Sequence, residues 1–144
     1  MREHDIEINE TYFWKHPVYN HLWCNLQGEI WSSSVKGKKS VFCKDKPIRK
    51  LNENRSKFDG NNRYKTCSIG RIKGKIKVKT SHRIIMECIL DRILDRKETV
   101  NHINHKHRDN RVSNLEVCSL KENIEKYHDF VKFGGEKSNI SRCQ

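Results

Sequence analysis

Proline is nearly absent: Pro17 and Pro47 are the two in 144 residues, so little in the chain breaks regular structure. Long apolar runs are missing as well. No stretch approaches the roughly 20 residues that span a bilayer, and no membrane partner is expected. The first residues carry Glu3, Asp5, Glu7 and Glu10 where a secretory leader would be apolar; the expectation is an intracellular, cytoplasmic protein. The six cysteines (24, 43, 67, 88, 118 and 143) never form a Cys-x-x-Cys pair. That argues against a zinc ribbon or disulfide framework and for reduced, partly buried thiols. Acidic residues are outnumbered: 18 Asp and Glu face 30 Lys and Arg, a formal charge of +12. With a pI near 9.6, the chain calls for a polyanionic partner, nucleic acid first. The length suits one domain, with or without an appended arm, and a modest core. Nothing in the sequence implies a protein partner, and a monomer is expected.

What is present divides into a β-rich half and a helical half. Phe13, Trp14, Val18 and Tyr19 anchor an irregular or β segment interrupted by Pro17. Gln27-Gly28, between apolar runs at residues 21–31, reads as a turn joining two short strands. Residues 32–39 form a Ser/Lys/Gly loop, residues 41–48 a further strand ended by Pro47, and residues 50–62 a polar connection. Over residues 71–79, Ile72, Gly74, Ile76 and Val78 alternate with Arg71, Lys73, Lys75, Lys77 and Lys79. Period two predicts one apolar face and one basic face. A hairpin turn at Lys73-Gly74 is compatible with that reading, without loss of the two faces. The basic row suits a phosphate backbone; its bland counterpart is a solvated strand face. Residues 81–94 predict a helix with Ser81 as N-cap and Ile85, Ile89 and Ile93 as its core stripe. His82, at the helix start, could face the site, although a lone His there is more often a local hydrogen-bonding residue. Residues 91–98 form a charged link.

The chain is organised around VNHINHKHRDNRVSNLEVCSLKENIEKYH, residues 100–128. Val100 and Ile103 flank Asn101 and His102, so a strand there sends neighbouring side chains to opposite faces. Residues 104–111 have loop composition. Leu115 and Val117 alternate with Glu116 and Cys118, a strand signal. Ser119-Leu-Lys-Glu122 matches a capping box and starts a helix at about Leu120, with Ile124, Tyr127 and Val131 as its apolar stripe. The order is strand, loop, strand, helix.

This stretch resembles the HNH (ββα-metal, or His-Me finger) nuclease motif of phage- and intron-encoded homing endonucleases. The resemblance covers residues 78–130, including SHRIIMECIL at 81–90, which is similar to the helix preceding the motif in that group. It extends loosely to the N-terminal half. It implies an α+β fold: a small antiparallel β region (1–78), then a helix and a ββα-metal core (79–132), then a tail (133–144). It implies His102 as general base and Asn114 as the central Asn whose side-chain oxygen holds the imidazole by its other nitrogen. Asn123 from the helix and Asn101 from the strand are the implied ligands of Mg²⁺ (or Mn²⁺). Many relatives carry an Asp where Asn101 stands; a neutral oxygen still suits a hard cation. The implied activity is divalent-metal-dependent cleavage of double-stranded DNA, leaving 5′ phosphate and 3′ hydroxyl ends, in the host cytoplasm for a phage-encoded protein. Relatives continue a stretch like Gly-Glu-Lys-x-Asn into a DNA-reading arm. The expectation here is that such a specificity arm is lacking or lost, so that recognition falls on the basic β half, with modest sequence specificity.

The chemistry needs these residue types. A neutral His of fixed tautomer takes a proton from water near pH 7, and a cation between oxygen ligands and phosphate offsets developing charge. Lys106, Arg108 and Arg111 are placed to grip neighbouring phosphates. Two alternatives stand beside this reading: a zinc site built from His102, His105, His107 and His128, and a non-catalytic DNA-binding protein on the same scaffold.

Overall fold

The computed structural model describes residues 1–35, 45–55 and 64–134. The helix α1, Ser81–Leu90, meets all three sheets and organises the fold. Ile84, Ile85, Cys88 and Ile89 are buried along it, which leaves its apolar stripe covered on several sides. It ends earlier than expected because Asp91 turns left-handed (φ 56°) and donates its N–H to the Glu87 carbonyl. Leu94 still reaches the core from the loop beyond, whereas Ile93 is exposed. The N-cap is Thr80, not Ser81, and no side chain caps it; Ser81 lies inside the first turn and is fully buried.

The architecture is α+β with antiparallel sheets. Strands β1 (Ile6–Ile8), β2 (Thr11–Lys15), β3 (Leu22–Cys24), β4 (Ile30–Ser32) and β5 (Arg49–Lys50) form one sheet in chain order. The Gln27-Gly28 turn joins β3 to β4, with Gly28 at φ 81°. Strands β6 (Asn54–Arg55), β7 (Lys65–Ile72) and β8 (Lys75–Thr80) form a second sheet. Strands β9 (Glu98–His102) and β10 (Leu115–Ser119) form a hairpin that carries α2, Leu120–Lys132. Residues 41–44 of the strand expected at 41–48 lie outside the described residues, and 45–48 form no strand, since pairing begins only at Arg49 after Pro47. Most of the connection at 50–62 and most of the tail also lie outside the described residues, although β6 falls within that connection.

One cluster joins Trp14, Leu22, Cys24 and Ile30 to Cys67, to α1, and to Val100 and Leu115. The core therefore runs across the boundary expected at residue 78. At its edge the Glu87 carboxylate is fully buried. It accepts from Lys79 Nζ at 2.6 and 2.9 Å, from His16 Nε2 at 3.1 Å and from the Leu94 N–H at 3.0 Å. Cys24, Cys67, Cys88 and Cys118 are buried free thiols; burial pushes the Cys67 thiol up to about 12. Among the described residues no helix is long and apolar enough to cross a membrane.

Candidate active site

The β9–β10 hairpin pairs Asn101 with Glu116 and His102 with Leu115. Strand alternation sends Val100 and His102 toward α1 and Asn101 toward α2. Ser119 sets where α2 begins: its hydroxyl accepts from the Glu122 N–H, and the Glu122 carboxylate accepts from the Ser119 N–H. The expected stripe of Ile124, Tyr127 and Val131 does not bury, and Ile124 is exposed. The buried residue of α2 is Asn123, because the surface beneath this helix is the polar Asn101–Glu116 pair rather than a core.

His102 is 2% exposed. Its Nε2 lies 2.8 Å from Asn110 Oδ1. A carboxamide oxygen only accepts, so the ring proton is on Nε2 and the lone pair on Nδ1. Nδ1 is buried and makes no hydrogen bond to a described residue. Burial pushes the imidazole below its ordinary value, partly offset by the Asn110 bond, so the ring is a neutral base near pH 7. Three rings pack around it: His82 at 5.0 Å, His107 at 5.7 Å and Tyr64 at 6.1 Å between centroids. Of the two roles open to His82 in the sequence, the structure shows it fully buried and facing His102.

Asn114 does not hold the imidazole. Its Oδ1 accepts from the Asn104 N–H at 2.9 Å, and its Nδ2 donates to Asn104 Oδ1 and the Asp109 carbonyl. A 3₁₀ turn, Val112–Asn114, aims this amide across the loop, where it ties both ends together. Asn110, four residues earlier, reaches the ring instead. Sequence reasoning missed Asn110 because two asparagines in one loop differ only in how the backbone aims them.

On the opposite face, Asn101 Nδ2 donates to Glu116 Oε1 at 2.8 Å. The Lys126 ammonium of α2 donates to the same oxygen. Lys126, and then Asn101, hold the Glu116 carboxyl below its usual range. Asn123, one turn before Lys126, is 7% exposed, and the structure gives its amide no hydrogen bond to a described residue. A cleft of about 590 Å³ opens here, lined by Asn101, His105, Glu116, Lys126, Asp129 and Phe130 among others. Asn101, Glu116 and Asp129 bring oxygen donors to this cleft, the type a hard divalent cation takes, and they fit Mg²⁺ or Mn²⁺; Asn123 is not among the residues that line it.

The expected DNA contacts separate into groups. The hairpin turn does form at Lys73-Gly74, with both φ angles positive. It places Ile72 opposite Lys75 and Arg71 opposite Ile76. Residues directly opposite share a face, so the two-residue turn mixes basic and apolar side chains, and the two-faced ribbon is lost. Arg71, Lys73, Lys75 and Lys77 are exposed. Lys79 is not part of that row, since Glu87 holds it. Lys106 and Arg108 are exposed on the loop, while Arg111 pairs with Asp109 at 2.7 Å. The zinc alternative is not supported: no group of three His, Cys, Asp or Glu among the described residues is arranged to hold a metal. His105 stacks on Phe130 at 3.9 Å, away from His102.

No protein-family model matches this chain, and no curated protein does. Among solved structures it is similar to the HNH homing endonuclease I-HmuI, in a structure describing DNA binding and cleavage by that enzyme. The identity is 22% and the TM-score 0.55, over 87% of this chain and 61% of that one. The likeness defines an HNH-type fold, and this chain spans about three-fifths of the neighbour's length.

Proposed function

We propose that this chain is a divalent-cation-dependent endonuclease hydrolysing phosphodiester bonds of double-stranded DNA, by nicking or two-strand cutting, as homing endonucleases do. The observation that carries the reading is His102, fixed by Asn110 with its Nδ1 lone pair unprotonated, on a hairpin whose other face offers oxygen ligands. In this reading His102 takes the proton of the attacking water, Asn110 keeps the ring tautomer, and Asn114 keeps the loop closed. Asn101 and Asn123 hold the cation. When bound, Mg²⁺ or Mn²⁺ supplies positive charge against the developing charge on phosphate and leaving oxygen. Arg71, Lys73, Lys75, Lys77, Lys106 and Arg108 bind backbone phosphates, favoured by the +12 charge.

The test is a supercoiled-plasmid assay with Mg²⁺, Mn²⁺ or EDTA. Cleavage is expected only with metal, and His102→Ala should lower its rate by about 10²- to 10⁴-fold. The burial of His102 favours one second reading, a DNA-binding protein without cleavage. Salt-sensitive binding with no cleavage in either metal would select it.

A further inference from the structure

Asn101 is neutral where a cation site gains from a carboxylate. The residue directly across the ladder is Glu116, and its carboxylate accepts from the Asn101 amide at 2.8 Å. That bond has two consequences. It turns Asn101 Oδ1 away from Glu116, the only direction left for a planar amide, and it leaves that oxygen more negative by hydrogen-bond polarisation. The same carboxylate is already occupied by a cation, the Lys126 ammonium. Charge decides what the site can hold. Among the charged groups lining the cleft, Lys126 and Asp129 alone cancel; with Glu116 the sum is −1, and −2 once Lys126 swings out to solvent.

We propose that Glu116 supplies the negative charge that Asn101 lacks. Asn101 offers an aimed oxygen, Glu116 the carboxylate, and Lys126 a resident ammonium that an incoming divalent cation displaces. This inference rests on the endonuclease reading, because it concerns the same cation. It extends that reading by making cation affinity depend on a side chain from β10 and on competition with one from α2. Lys126 is a half-exposed flexible side chain, so its displacement needs no backbone movement.

The experiment is a titration of the full chain with Mn²⁺, free ion followed by its electron paramagnetic resonance signal, which reads binding without cleavage. Glu116→Gln should weaken binding by about 10- to 100-fold. Lys126→Met should tighten it. Asn101→Asp placed in the Glu116→Gln background should restore it. Circular dichroism melts check that each variant folds, and the opposite sign expected for Lys126→Met separates competition from general damage. Equal Mn²⁺ affinity in wild type and Glu116→Gln overturns this inference while leaving the endonuclease reading standing. Weaker binding in Lys126→Met overturns the displacement. A wild-type chain that binds no Mn²⁺ overturns both readings.

Discussion

Gly28 lies against the backbone of Asn110 so closely that a β-carbon on Gly28 would sit 2.2 Å from the Asn110 carbonyl oxygen. Next to it, the Val112 N–H donates to the Leu26 carbonyl at 3.0 Å. The β3–β4 turn is thus seated on the segment whose Asn110 side chain holds His102. Gly28→Ala meets two obstacles, the clash and a φ of 81° that suits glycine. It should cost about 2–5 kcal/mol in urea unfolding. If cleavage is present, it should fall too, although residue 28 lies more than 70 positions from His102 in sequence.

Asn110 and Asn114 should separate in their effects. Asn110→Ala frees the His102 tautomer and should slow plasmid cleavage by about 10- to 100-fold, the worth of a buried hydrogen bond. Asn114→Ala leaves the Asn104 N–H without its acceptor and should lower stability by about 1–3 kcal/mol. Equal rates in Asn110→Ala and wild type would remove Asn110 from the mechanism.

Acid should destabilise the fold through Glu87. Burial alone would raise its pKa, but the bonds from His16, Lys79 and the Leu94 N–H outweigh burial and hold it below its ordinary value. A folded-state pKa below the unfolded one contributes stability above the ordinary glutamate value. That contribution fades as pH falls through and beneath that value. Glu87→Gln should lose about 2–3 kcal/mol at pH 7 and flatten this acid limb. Urea midpoints between about pH 3 and pH 7, which bracket the ordinary glutamate value, would show it.

The exposed ribbon lysines and the half-buried Lys79 make contrasting predictions. Replacing Lys75 and Lys77 by Ala should reduce the slope of log K against log salt for duplex DNA by about 2. Melting should be unchanged. Lys79→Ala should leave the slope alone and lower the melting temperature, since its ammonium is committed to Glu87.

Ser119→Ala should cost about 1 kcal/mol by removing the helix cap, read as a lower urea midpoint. A cost near zero would mean that packing on the hairpin alone sets where α2 starts.

Much of this was legible in local sequence. The Ser119–Glu122 box located α2, the Gln27-Gly28 pair located a hairpin turn, and Val100–His102 and Leu115–Cys118 read as strands. Such signals act over a few residues, through caps, turns and alternation, and need no partner. Several readings failed, each for a reason that local pattern does not contain. The alternation of Arg71 to Lys79 was real, but a two-residue turn changed which side chains share a face. The α2 stripe stayed only half-buried at Tyr127 and Val131 and exposed at Ile124, because the surface it meets is polar. Which of its two possible roles His82 takes was settled by packing, since α1 brings its first turn against the hairpin beside His102.

The sequence by itself determined the order of strand, loop, strand and helix, the placing of Asn101 and His102 on opposite faces, and a cationic surface, because these follow from periodicity and composition. Only the tertiary structure decided that Asn110 rather than Asn114 holds the His102 ring, that Glu116 stands beside Asn101, and that Lys79 serves Glu87. Those are contacts between residues 8 to 15 positions apart, and whether such residues meet depends on loop conformation and cross-strand register, which the packed core imposes.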